Sequence, residues 1–225
     1  MFRHEKTLLY PVRVSSPDPT FAAMLVEQHG GPNGELSACT QYLNQAVGCT
    51  DPMIKDLLLD IGTEELNHLE LLSETIKLLL GDPTTNNINQ APTLELVGGG
   101  GAMYVNSSGH TWTADFVSSV GDQVANLHSN VASELKAKAV YQRLYQRATD
   151  PGVRDLIDFL ISREEAHAQL FTRALEKVQN QGVLQNLGDK LYSNQYLDLS
   201  TGTGNQNPSV WNMQPGNIPV SPPSH

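Results

Sequence analysis

The sequence is poor in cysteine and in aromatic residues. The small number of cysteines excludes a disulfide-rich scaffold. Of its 225 residues, 2 are cysteine and 6% are aromatic. Cys39 and Cys49 lie in a segment with helical periodicity, too far apart along a helix axis for a bridge, because each residue rises by about 1.5 Å. We therefore expect two reduced thiols that serve as packing residues.

Positive charge and long apolar runs are also scarce. The chain has 14 Lys and Arg against 24 Asp and Glu, a formal net charge of -10. Such a chain repels phosphate backbones and anionic lipid surfaces, so neither nucleic acid nor a membrane is expected as a partner. No apolar stretch has the length of a signal-peptide core or a membrane span. These features predict a cytoplasmic protein.

Helical periodicity predicts an all-α fold with four long helices. The first begins near Phe21 and contains HGGPNG at 29–34, which could kink or split it, and the others span about 52–80, 115–148 and 152–180. Asp51-Pro52 and Asp150-Pro151 provide matching N-caps and first helical residues. Residues 82–112 lack periodicity and form a long crossover connection. Such a connection favours a ferritin-like four-helix bundle over a simple up-down bundle.

The chain is expected to form one bundle with appendages. Residues 1–180 comprise the bundle and an extended N-terminal arm, and residues 181–225 form an extended C-terminal tail rich in Asn, Gln, Ser, Gly and Pro. Trp211, Met213 and Val220 favour packing of the tail along a neighbouring subunit, with disorder as the alternative.

A long internal repeat carries the candidate chemistry. The phrase TDPMIKDLLLDIGTEELNH at 50–68 recurs as TDPGVRDLIDFLISREEAH at 149–167, offset by 99 residues. Identical residues share this offset: Glu35 with Glu134, Tyr42 with Tyr141, Asp56 with Asp155, Glu65 with Glu164 and His68 with His167. Each half therefore has a lone Glu followed by a Glu-x-x-His, whose two side chains lie on one helix face.

This pattern predicts a dinuclear metal site. Four-helix bundles hold two metal ions with a Glu from each of two helices and a Glu-x-x-His from each of the other two. Mixed oxygen and nitrogen ligands suit Mn or Fe better than thiolate-seeking metals. One Glu-x-x-His is common by chance, but two in matched contexts are not, and six buried ionisable groups would be costly without a metal. By the repeat alone, all six groups are ligands.

Other acidic and histidine residues receive no role in this cluster. Glu64 and Glu165 lie about 100° around the helix from the motif face, so we expect them to be solvated or peripheral. The remaining histidines have no partner spacing and stay unassigned: His4, His29, His110, His128 and His225.

Three longer phrases narrow the class of di-metal protein. KDLLLDIGTEELNHLEL (55–71), GVRDLIDFLISREEAHAQLF (152–171) and GGPNGE (30–35) resemble the manganese catalases, the non-haem catalase family, and the resemblance extends over residues 1–202. It implies an enzyme that disproportionates hydrogen peroxide to water and dioxygen at two manganese ions, which cycle between Mn(II)₂ and Mn(III)₂. It also implies a homohexamer.

The resemblance also implies a role for each motif residue. The implied manganese ligands are Glu35 and His68 for one ion, Glu134 and His167 for the other, and Glu65 as a bridge. Glu164 matches a carboxylate beside the cluster that moves protons. The repeat thus predicts six ligands, and the resemblance predicts five ligands and a catalytic base. We follow the resemblance, because peroxide needs an open metal position and a nearby proton acceptor.

The resemblance further implies a structural calcium ion between subunits. The matching positions are Asp56 and Asp60 on the second helix and Asp198, Ser200 and Gly202 in the C-terminal segment. Oxygen ligands of this kind suit Ca²⁺. The alternative is that Asp56 and Asp60, one helical turn apart, belong to a solvated acidic stripe.

One position departs from the family pattern. Some members have an Arg immediately before the residue that matches Glu134, whereas this chain has Ser133. We expect a more open or differently charged access channel, with Lys138 as a possible substitute for the missing Arg.

Two other functions remain as alternatives. A di-iron ferroxidase or peroxidase of the rubrerythrin type would need an electron-donor route such as a Cys-x-x-Cys module, and the sequence has no such motif. A structural protein of a stress or spore layer could keep the fold without activity, but the intact ligand set argues against it.

Overall fold

The computed structural model describes residues 5–82, 91 and 93–180, and the predicted tail at 181–225 lies outside them. This part of the chain contains five α-helices: α1 (Pro19–Gly30), α2 (Glu35–Gly48), α3 (Pro52–Leu80), α4 (Gln123–Tyr145) and α5 (Pro151–Asn180). A π-helical turn (Thr93–Val97) and a 3₁₀ turn (Ala114–Phe116) lie between α3 and α4. Because α1 and α2 together take the place of the first predicted helix, the all-α fold with four long helices is confirmed.

The first predicted helix is divided at HGGPNG. Gly31 and Gly34 make a tight turn there, since a β-carbon on either would lie 2.3 Å or 2.5 Å from a carbonyl oxygen of α1. Ser37 stabilises the turn by donating its hydroxyl to the Gly31 carbonyl at 2.9 Å. As a result α2 begins at Glu35, whose carboxylate lies in the first turn, where the helix dipole favours negative charge.

The predicted caps of the two Glu-x-x-His helices are confirmed. Asp51 Oδ1 accepts hydrogen bonds from the backbone N–H groups of Met53 and Ile54 at 2.9 and 3.2 Å. Asp150 Oδ1 does the same for Gly152 and Val153 at 2.8 and 3.2 Å. Both helices therefore start with the same Asp-Pro cap, so their Glu-x-x-His residues lie at the same distance from the start of each helix.

The prediction that the third long helix starts near residue 115 is wrong, because α4 begins at Gln123. Side-chain amides of α2 hold the preceding backbone in an extended path. The Ser118 N–H donates to Gln41 Oε1 at 2.8 Å, and Gln45 Nε2 donates to the Ser118 carbonyl at 2.7 Å. Helix α4 starts only after Gly121, at the cap Asp122.

The main apolar core lies at one end of the bundle. It is formed by α1, the C-terminal part of α3, the C-terminal end of α4 and the N-terminal part of α5, with Leu25, Leu72, Ile76, Tyr141 and Leu160 among its fully buried members. The N-terminal arm packs on the same end, where Tyr10 stacks on Phe159 with ring centroids 4.3 Å apart. This core anchors the helices and leaves their middle sections for polar side chains.

Two sequence predictions about the rest of the chain can be compared with the structure. Cys39 and Cys49 are both free thiols, Cys39 buried and Cys49 half-buried, as predicted. In the described ranges, no helix combines the length and the apolar character needed to cross a membrane.

His29 fastens the crossover connection to the bundle. Its Nδ1 donates to the Met103 carbonyl at 3.0 Å, and its Nε2 lies 2.9 Å from the Ser73 hydroxyl. The ring stacks on Tyr104, with centroids 5.4 Å apart. Burial lowers the pKa of His29 from its usual 6.5 to about 4, although the Met103 carbonyl opposes the shift. The folded protein therefore holds this imidazole neutral.

We predict that His29 makes the fold acid-sensitive. Because its folded pKa lies below its unfolded pKa, its stabilisation is complete above pH 6.5 and is lost as the pH falls towards 4. The loss is about 3 kcal/mol of unfolding free energy. In His29→Gln that part of the pH dependence should disappear. Urea unfolding of both metal-free proteins between pH 7 and pH 4 measures it, and an equal decline in the two would contradict the prediction.

Candidate metal centre

Six ionisable side chains meet in the middle of the bundle. Each is at most 1% exposed, and they come from four helices: Glu35 of α2, Glu65 and His68 of α3, Glu134 of α4, and Glu164 and His167 of α5. The structure thus brings together every residue that the repeat pointed to. The i,i+3 spacing in α3 and α5 directs both members of each Glu-x-x-His towards this point.

Glu65 lies between the two histidines. Its Oε2 is 2.8 Å from His68 Nδ1, and its Oε1 is 2.7 Å from His167 Nδ1. The two imidazole rings are stacked, with centroids 5.7 Å apart and planes inclined by 23°. One carboxylate therefore spans the two halves of the repeat.

Two overlapping groups in the described ranges could each hold a metal ion. One comprises Glu35, Glu65, His68 and Glu164, and the other comprises Glu65, Glu134, Glu164 and His167. In each group one ligand atom per residue lies within 4.8 Å of all the others. Glu65 and Glu164 belong to both groups, so the geometry is that of two adjacent positions with shared carboxylates.

A tyrosine from the opposite half of the repeat supports each lone Glu. The Tyr42 hydroxyl donates to Glu134 Oε1, and the Tyr141 hydroxyl donates to Glu35 Oε1. Both tyrosines are fully buried. The sequence showed these tyrosines as repeated residues but assigned them no role, since the contact joins positions remote in the chain.

Burial and crowding of like charge control the protonation of the cluster. Burial raises the pKa of Glu35 and of Glu164 well above the usual range, and neighbouring carboxylates raise both further. Burial opposes protonation of the imidazoles, but the carboxylates around them outweigh it and raise the pKa to about 10 for His68 and about 12 for His167. Protons on the histidines thus balance negative charge, which metal cations would also balance.

The donor set fits divalent manganese or iron. Within the described part of the chain, Glu35 Oε2, Glu65 Oε1, Glu134 Oε2 and both oxygens of Glu164 are buried without a hydrogen-bond partner, and so are His68 Nε2 and both ring nitrogens of His167. Buried carboxylate oxygens normally have partners, so these atoms are free to bind cations. Carboxylates and imidazoles, with no thiolate among them, suit Mn or Fe.

Three predictions about neighbouring residues need correction or refinement. Glu64 is not peripheral, because its oxygens lie 3.5 Å from His68 Nε2 and 3.1 Å from His167 Nε2. Lys138 forms an ion pair with Glu165, so its expected role as a substitute for the missing Arg is not supported. The third prediction concerned Ser133, which was expected to leave a more open or differently charged channel. Its hydroxyl lies 3.4 Å from Gln41 Nε2, which can donate a hydrogen bond to it.

The other candidate residues lie apart from the cluster or outside the described residues. Asp56 and Asp60 are exposed on α3, while Asp198, Ser200 and Gly202 fall outside the described residues. His29 has the packing role given above, and His4 and His225 are also outside the described residues. Neither metal-binding group includes His110 or His128.

The chain is an all-α, ferritin-like bundle that gathers two Glu residues and two Glu-x-x-His motifs in its interior, an arrangement that can hold two metal ions. A thioferritin from Bacteroides fragilis shares this fold, with a TM-score of 0.50 and 20% identity over 76% of this chain and 89% of that one. That likeness concerns the fold alone.

Closer similarities identify the family. A family model described as manganese containing catalase matches residues 1–217. A probable manganese catalase of Clostridium acetobutylicum is 48% identical over 89% of this chain and 91% of its own length. The crystal structure of KatB, a manganese catalase from Anabaena, matches with a TM-score of 0.87 and 32% identity, covering 99% of this chain and 100% of that one. The chain belongs to the manganese-containing catalase family.

Proposed function

We propose that the six-residue cluster holds two manganese ions and that the protein disproportionates hydrogen peroxide to water and dioxygen. The observation that carries this proposal is the pair of overlapping, fully buried Glu and His groups in a chain of this family. The family match favours this function over a di-iron enzyme of the rubrerythrin type. It also favours an active enzyme over a purely structural protein.

The proposed ligands follow the two halves of the repeat. Glu35 and His68 would hold one ion, Glu134 and His167 would hold the other, and Glu65 would be shared by both. The position of the Glu65 oxygens, each within 2.8 Å of a different imidazole, supports the bridging role. When bound, two manganese ions supply Lewis acidity and a two-electron redox couple between Mn(II)₂ and Mn(III)₂. Tyr42 and Tyr141 orient the lone Glu ligands by their hydrogen bonds.

Glu164 is the proposed proton acceptor. Both of its oxygens are buried without a hydrogen-bond partner among the described residues, so they can receive a proton from peroxide. In the metal-free protein, burial and the nearby Glu35 and Glu65 raise its pKa well above the usual carboxyl value. A carboxylate that accepts the proton of peroxide and returns it to the leaving oxygen would act as a general acid–base catalyst. A carboxylate that accepts a proton must keep at least one oxygen that is not bound to a metal ion.

A narrow cleft that reaches Glu134 is the proposed path of a small substrate to the cluster. It is lined by residues of α2 and α4 and their adjoining loops, including Gly34, Gln41, Ser133 and Glu134. Its volume of about 10 Å³ is on the scale that one water molecule needs. Ser133 lines the cleft at the position where some relatives have Arg, so a short uncharged side chain borders the path. This size favours peroxide over larger substrates.

Several further properties are proposed from the resemblance. Asp56 and Asp60, both exposed and one turn apart on α3, would contribute to a calcium ion shared between subunits. Residues 1–180 would form the bundle with its arm, and residues 181–225 would be a tail packed on neighbouring subunits. A homohexamer in the cytoplasm is consistent with these proposals.

The direct test of the function is metal content together with oxygen evolution. Protein purified from cells grown with Mn²⁺ should contain two manganese ions per chain and release dioxygen from hydrogen peroxide. Bound iron with almost no manganese, or a manganese-loaded protein that releases no dioxygen, would refute the proposed function.

A single substitution separates the proposed base from the ligands. Glu164→Gln should keep both manganese ions but reduce turnover by about 10²- to 10⁴-fold, because the amide cannot accept and return the proton. Metal analysis and initial rates of oxygen release measure the two effects. Glu165→Gln is the matched control, since that neighbour pairs with Lys138 at the surface. Loss of metal from Glu164→Gln would show instead that Glu164 is a sixth ligand.

A further inference from the structure

Glu64 and Arg163 form an ion pair beside the cluster. These positions are separated by 99 residues, so they are equivalent in the two halves of the repeat. Arg163 Nε donates to Glu64 Oε1 at 2.6 Å, and Arg163 Nη2 donates to Glu64 Oε2 at 3.2 Å. Two parallel bonds fix the plane of the carboxylate as well as its position.

The same carboxylate faces the outer nitrogens of both candidate ligand histidines. Glu64 Oε1 lies 3.5 Å from His68 Nε2, and Glu64 Oε2 lies 3.1 Å from His167 Nε2. These are ion-pair distances, and neither Nε2 has an aligned hydrogen-bond partner among the described residues. The Nδ1 atoms of the same rings lie beside Glu65 on the inner side, at 2.8 and 2.7 Å. Each imidazole therefore stands between an inner and an outer carboxylate, and the outer carboxylate is shared by the two halves of the repeat.

A carboxylate that accepts the second N–H of a ligating histidine fixes the ring's tautomer and orientation. We propose that Glu64, held by Arg163, is the positioning residue that keeps both His68 and His167 with Nδ1 towards the metal site and Nε2–H towards the Glu64 carboxylate. This inference rests on the manganese site proposed above. In this arrangement the Glu64 carboxylate aligns the imidazole rings of His68 and His167, which come from different halves of the repeat.

The charge difference between the two equivalent positions supports this role. A carboxylate at both positions would place two more negative charges beside four buried glutamates, whereas Arg163 adds a positive charge. The side chains of Glu64 and Arg163 are 25% and 35% exposed, so the pair lies between the buried histidines and the surface. It joins α3 to α5 at the level of the cluster, since its members directly precede Glu65 and Glu164.

The test is the rate at which manganese leaves the loaded protein into excess chelator. Glu64→Ala should lose manganese about 10- to 100-fold faster than the unchanged chain, the usual range for such supporting carboxylates. The double variant Glu64→Ala with Arg163→Ala should lose it no faster than Glu64→Ala alone, because the two residues act as a unit. Lys138→Ala and Glu165→Ala, which break a neighbouring surface ion pair on α4 and α5, should stay within about twofold of the unchanged chain.

Glu64→Gln provides a second variant that nearly preserves shape. Its single amide oxygen can accept from one imidazole while its NH₂ group faces the other, so manganese should leave in two phases of different rate. Thermal unfolding of the metal-free proteins shows whether Glu64→Ala has merely weakened the fold. Release at the unchanged rate would overturn the positioning role, and so would a faster release fully matched by a lower unfolding midpoint.

Metal binding by the unchanged chain distinguishes this inference from the proposed function. If that chain binds no manganese, the proposed function fails and the positioning role fails with it. If it binds two ions and Glu64→Ala holds them equally well, the positioning role alone fails.

Discussion

The burial of four carboxylates in one apolar bundle is the constraint on which the rest of the structure depends. Glu35, Glu65, Glu134 and Glu164 are each at most 1% exposed and lie within two overlapping groups. Removing a carboxylate from water costs several kcal/mol even after the protein relaxes. The negative charge must therefore be neutralised, by protons on the carboxylates and imidazoles or, in the proposed function, by two manganese ions. Tyr42 donates a hydrogen bond to one oxygen of Glu134, and Tyr141 donates one to an oxygen of Glu35. The second oxygen of each carboxylate has no hydrogen-bond partner among the described residues.

The repeat supplies this site with two matching halves, which differ at two pairs of equivalent positions. Glu65 and Glu164 are equivalent in the repeat, yet Glu65 lies 2.8 and 2.7 Å from the two imidazoles, whereas Glu164 Oε1 lies 3.6 Å from His68 Nδ1. Glu64 and Arg163 are also equivalent, and they differ in charge. Both differences fall in the segments immediately before the histidines. In the proposed function, the asymmetry at Glu65 and Glu164 serves proton transfer, and the asymmetry at Glu64 and Arg163 serves histidine alignment.

The sequence alone predicted the bundle and all six buried groups, because the Asp-Pro caps and the repeated Glu-x-x-His depend on local helical spacing. It could not predict that α4 starts at Gln123, since the delay comes from the Gln41 and Gln45 amides that bind the backbone at Ser118. It also misjudged Glu64. Position around a single helix suggested a peripheral side chain, whereas its actual contacts come from Arg163 and His167 of α5. Contacts between distant segments require the packed structure.

The central claim is that the two halves of the repeat together hold two manganese ions. Anomalous scattering at the manganese absorption edge, measured on crystals of the manganese-loaded protein, tests it most directly. Two peaks per chain are expected, one beside Glu35 and His68 and the other beside Glu134 and His167, with Glu65 in contact with both. A single peak, or peaks away from these six residues, would contradict it.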